Sequence, residues 1–140
     1  MFLFFSYDLK KDKVYQRYKM VTDDYIHDIT VNVNSNNDVY LFALIWSKNL
    51  QTYNFHNRNL IKSIDINCDR KMCLWDNEYI FVAGKNPIKL IDIETGKIIK
   101  TLNGEASISY LCKYEHPLYG QCLVSKCNEN NIIKLWGFKN

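Results

Sequence analysis

Only 5 of the 140 residues are glycine and 2 are proline, which excludes a collagen-like chain and a Pro/Gly-rich disordered one. No apolar run approaches the roughly 20 residues of a membrane helix. Met1-Phe-Leu-Phe-Phe5 stops at Ser6-Tyr7-Asp8 and lacks the basic start and longer apolar stretch of a secretory leader. A large excess of charge of one sign is also lacking. A net charge of +3 does not by itself argue for a nucleic-acid or membrane partner. An even set of cysteines is missing too. Five cysteines make a poor disulfide framework, and reduced thiols fit a cytoplasmic protein.

What the chain does hold is apolar and aromatic residues, 47% and 14% of the total, enough for one domain with a sizeable core. No helical period runs through them. They fall into short runs rich in β-branched and aromatic residues, separated by Asn, Asp, Gly and Lys clusters. These runs predict strands at Phe2–Asp8, Val14–Met20, His27–Val33, Val39–Trp46, Leu50–Phe55 and Leu60–Ile66. Further strands are predicted at Lys71–Trp75, Tyr79–Ala83, Ile88–Ile93, Lys97–Leu102, Ile108–Tyr114, Gln121–Ser125 and Ile132–Phe138. Turns are marked at Asn34–Asn37, Gly84–Pro87, Glu94–Gly96 and Asn128–Asn131. The chain reads as all-β, and its short connections call for antiparallel pairing of sequence neighbours.

A strand–turn–strand unit recurs. Ile88–Gly104 is its most legible copy; Phe4–Tyr18 and Leu50–Ile64 repeat the plan, and Ile132–Phe138 copies its first strand again. With Asp8, Asp92 and Gly137 as equivalent points, full units are about 37 to 47 residues long, bracketing the 40–45 of a four-stranded propeller blade. Ile133-Lys-Leu-Trp136 resembles the strand ending of a WD repeat, with Gly137 where Asp is usual. Ile88-Lys-Leu-Ile-Asp92 is similar, with Ile91 in place of Trp. Thr101-Leu-Asn-Gly104 before Glu105 resembles the segment that ends Gly-His in that family. Trp75-Asp76 falls one strand too early to be the signature dipeptide. The resemblance covers the chain from about Tyr25 onward and is clearest in Ile88–Phe138, where His116–Ser125 before Ile133–Trp136 resembles divergent protist arrays.

The resemblance implies a partial WD-repeat β-propeller, with about three four-stranded antiparallel blades in an open arc. Residues 1–20 would form a half blade, 25–66 and 69–103 two blades, and 107–140 an incomplete one. Closure takes at least four blades, hence roughly 160 residues. The expectation is therefore a fragment of a longer propeller whose open ends self-associate. Trp136 and Leu135, on opposite faces of the last strand, are expected to hold it to its neighbours, with Phe2, Phe4, Leu135 and Phe138 near the bare ends. In that family a loop His, a strand Ser/Thr, a turn Asp and a strand Trp form a buried network within a blade. Here Trp136 is kept, Ser125 and Asn130 are its candidate partners, and Glu105 stands where the His belongs. Such a blade must rely more on apolar packing.

No nucleophile elbow, Gly-rich phosphate loop or His-Glu-x-x-His helix occurs in the sequence. His27, His56 and His116 lie far apart, and Asp23-Asp24 and Asp92 with Glu94 read as solvated turn acids rather than an acid–base pair. Cys112, His116, Cys122 and Cys127 have the makings of a metal set, but Cys112 and Cys122 lie inside strand runs, where Cys behaves as a small hydrophobe. No catalytic residue, metal or cofactor is assigned, and the chain is not read as an enzyme. The resemblance implies a protein-interaction scaffold that docks a peptide or domain on one rim. Carried over position by position, Lys85, Asn86, Glu105, Asn128 and Asn130 would lie near that rim. The rival reading is a nucleic-acid- or lipid-binding β module. It rests on the first hairpin, where Lys10, Lys11, Lys13, Arg17 and Lys19 interleave with Tyr7, Tyr15 and Tyr18. Lys at a hairpin tip is also ordinary solvation and edge protection.

Overall fold

The computed structural model describes residues 2–20, 22, 24–46, 49–67, 70–85, 87–104 and 107–138, with backbone alone at 2, 4, 5, 16–18 and 20. Among the described residues there is no helix, and every strand pairs antiparallel with a sequence neighbour. A hairpin comes first, β1 (Phe2–Asp8) with β2 (Lys13–Met20). A four-stranded sheet follows in chain order: β3 (Ile26–Val33), β4 (Val39–Ile45), β5 (Asn49–Asn54) and β6 (Leu60–Asp65). The next sheet repeats the order with β7 (Lys71–Leu74), β8 (Tyr79–Ala83), β9 (Ile88–Asp92) and β10 (Ile98–Leu102). The last sheet has three strands, β11 (Ile108–His116), β12 (Gly120–Cys127) and β13 (Ile133–Gly137). The sheets form the open, propeller-like array that the repeat pattern implies.

Burial explains the composition of each strand. β4 and β8 read as unbroken apolar runs because each is an inner strand packed on both faces. The outermost strands β6 and β10 cover one face at most, and Leu60, Ile61, Ile98 and Ile99 stay exposed. Phe42, Leu44 and Leu50 of the first full sheet meet Met72, Ile80, Val82 and Ile91 of the second. On its other face the second sheet sets Phe81, Ala83, Ile88 and Leu102 against Ile108, Leu111, Leu123 and Cys127. Each fully buried side chain of this kind contributes about 1.5–3 kcal/mol.

β3 lies against β7, and β7 against β11, so the sheets fan out from their first strands. Polar groups lock this inner seam. Asp28 Oδ2 accepts the Met72 N–H at 2.9 Å, satisfying a donor on the open edge of β7. Lys113 Nζ donates to the Trp75 carbonyl at 2.5 Å and stands over the Trp75 ring.

Three expectations about the chain ends need correction or fall outside the description. Leu135 does not hold the last sheet to a neighbour: it is 47% exposed, because among the described residues no sheet covers the face that carries it. Phe138 does not lie on a bare end. It packs inward, its ring 5.1 Å from Trp75 and 5.5 Å from Phe81. The side chains of Phe2 and Phe4 lie outside the described residues.

Candidate functional site

The ends at which β3, β7 and β11 begin share one rim. There the turn after β8, the entry to β11 and the turn after β12 are tied together. Ile108 N donates to Gly84 O at 2.9 Å, and Asn128 N donates to Ser107 O at 3.1 Å. Ser107 Oγ adds a bond to Glu129 Oε1 at 2.6 Å. Lys85, Asn128 and Asn130 are exposed on these turns. The Asn130 side chain closes its own turn by accepting the Ile132 N–H at 3.1 Å. Asn86 and Glu105 lie outside the described residues.

The same rim carries an aromatic group that the sequence pattern did not single out. Tyr25 is 81% and Trp46 60% exposed, and Trp46 N donates to the Tyr25 carbonyl at 2.8 Å. The His27 ring lies 5.1 Å from the Trp46 ring. Together with Asp24 and Ile26 these residues line a depression of about 580 Å³. Trp46 was expected to end a strand, but β4 stops at Ile45 and leaves the indole on the turn. The signal was there: a bulky aromatic closing an otherwise buried apolar run.

Inside the last sheet, Trp136 Nε1 donates to Ser125 Oγ at 2.8 Å, and Ser125 is buried. The Gly104 corner stands over this indole, where an added Cβ would lie 3.4 Å from Trp136 Cη2. Two of the network partners anticipated for Trp136 thus separate: Ser125 joins it, whereas Asn130 serves its own turn.

The cysteines face different ways. Alternation along β12 sends Cys122 and Cys127 to opposite faces of the sheet. Cys127 packs into the apolar seam with Ile108 and Leu123, and His116 Nδ1 is engaged by the backbone N–H groups of Leu118 and Tyr119. The four residues therefore do not converge. Burial, with Cys112 as the next cause, pushes the Cys73 thiol up to about 11, which keeps it protonated and a poor nucleophile at neutral pH. On the first hairpin, Tyr7 donates to the Asp12 carboxylate and Lys11 pairs with Asp8 at 4.0 Å. Acidic groups thus occupy part of the basic tip.

No protein-family model matches the chain, and no curated protein matches it. Among solved structures, the chain is similar to the crystal structure of the WD40 β-propeller domain of Doa1, with a TM-score of 0.57 and 16% sequence identity. The match covers 90% of this chain and 47% of that one. The chain thus spans about half the length of the propeller it resembles, and it has a WD40-like all-β fold whose sheets do not close.

Proposed function

We propose that this chain is a protein-interaction module without a catalytic step, docking a peptide or domain on the rim where β3, β7 and β11 begin. The observation that carries the reading is the exposed Tyr25 and Trp46, beside His27, on the same rim as Lys85, Asn128 and Asn130. Exposed Trp and Tyr backed by a rigid scaffold are the side chains that contribute most to protein interfaces. Asn86 and Glu105 belong to the proposal by sequence position. Support for it comes from the WD40-like fold, which typically mediates protein interactions.

The test is selection of binding peptides from a displayed random library on the immobilised chain. Selected peptides should lose at least about tenfold in affinity on Trp46→Ala. Their binding should change little between about 50 and 200 mM salt, where phosphate-driven binding collapses. Selection of no peptide, together with steeply salt-dependent capture of an oligonucleotide or anionic vesicle, would replace this reading with the basic-hairpin one.

A further inference from the structure

The opposite rim, where β3 ends and β4 begins, holds a cleft that the reading above does not use. About 310 Å³ opens between the first full sheet and the second, near the lower limit of small-ligand sites. Tyr40, Phe42, Ile61 and Ile93 supply its apolar lining. Thr52 lines it from β5, next to Phe42 in the β4–β5 register. Only 7% of Thr52 is exposed, and its Oγ1 has no hydrogen-bond partner among the described residues. A buried hydroxyl without a partner is disfavoured, so this one is suited to a group that enters the cleft and bonds to it.

Two further features say what that group is. Asn32 Nδ2 donates to Asn77 Oδ1 at 3.0 Å across the gap between the sheets. This leaves the Asn32 carbonyl as an acceptor and the Asn77 amino group as a donor, the complement of a second amide. The charges lining the cleft are Lys62 and Glu94, whose Nζ and Oε1 stand 3.5 Å apart. Their charges cancel, so the cleft offers no excess charge to a bare anion or cation.

We propose that this inter-sheet cleft binds a neutral carboxamide, the side chain of a glutamine or asparagine presented by a peptide. The aliphatic stem lies along Phe42 and Ile93. At its tip the one carboxamide meets the Asn32–Asn77 pair and turns its remaining hydrogen-bonding capacity to the Thr52 hydroxyl. The site is independent of the rim at the other end of the sheets.

Fluorescence anisotropy on the full chain tests it, with labelled, capped pentapeptides of sequence Gly-Gly-X-Gly-Gly as probes. With X as Gln, binding should be at least tenfold tighter than with X as Glu or Lys. Thr52→Val keeps the shape and removes the hydroxyl. It should weaken the Gln peptide about tenfold while raising the thermal midpoint, because the unpartnered group is gone. Asn77→Ala, on an exposed turn, should weaken the same peptide and keeps the test alive if Thr52→Val does not fold. Absence of binding, equal binding of the three peptides, or Gln binding indifferent to both substitutions would overturn the proposal.

Discussion

Trp136 is only half-buried, yet its indole joins the third strand of the last sheet to the second through Ser125 Oγ. Removing that acceptor strands a donor in an apolar seam. Ser125→Ala should therefore cost about 1–3 kcal/mol in urea unfolding. Trp136→Phe in the same background should add less than it does alone, with a coupling of about 1 kcal/mol. Additive losses would show that the bond contributes nothing. Cys73 gives a pH test at the same scale. Its thiol is held near 11, above the ordinary 9.0, so the unfolded chain releases this proton first as pH rises. Stability should then fall from about pH 9 toward 11. Cys73→Ala should flatten that part of the decline relative to the parent chain. The sign is fixed: a steeper decline in the variant would mean that the thiol is not the group responsible.

At the scale of elements, much of the fold was legible because strands packed on both faces leave unbroken apolar runs, as in β4 and β8, whatever the repeat has lost. The turns were less so, because different residues do the same work there. Asp8, Asn54 and Asp92 each end the strand that opens a hairpin, and each accepts backbone N–H groups of its own turn. Four residues on, Asp12, Arg58 and Gly96 all adopt positive φ. The repeat is geometric, and Asn54 escaped the Asp-based alignment because an amide oxygen accepts as well as a carboxylate does. Asn34, Asp76 and His116 close the β3–β4, β7–β8 and β11–β12 hairpins in the same manner, with three different side chains. The aromatic rim was only half legible for another reason: a bulky aromatic closes the apolar run, but exposure of Trp46 depends on where β4 stops, and strand ends are set by tertiary contacts. Asn54→Ala should cost about 1 kcal/mol by freeing two turn donors. Gly96→Ala should cost more than about 1 kcal/mol, since φ is +73° and a Cβ would collide with Ile64 Cγ2 of the neighbouring sheet. Thermal or chemical denaturation of the two variants checks both, and a tolerated alanine at Gly96 would mean that the sheets can separate there.

For the whole molecule, the outer face of the last sheet matters most. Tyr110, Tyr114, Ile133 and Leu135 stand exposed on it, an uncovered apolar face of the kind that invites association. Light scattering on a sizing column should report a mass above 16.6 kDa that rises with concentration. The double substitution Ile133→Lys and Leu135→Lys should bring it down. If it does not, association runs through another surface. The contiguity of each sheet in sequence has a different consequence, one that belongs to synthesis. A ribosome adds about 5–20 residues per second, so β3–β6 emerges from it complete a matter of seconds before β10 emerges. During that interval Phe42, Leu44 and Leu50 have no second sheet to cover them. Translation speed over the stretch decoded after β6 has emerged therefore sets how long a finished but sticky sheet waits for its cover. Slower decoding of that stretch would lower the soluble yield without altering one residue of the product.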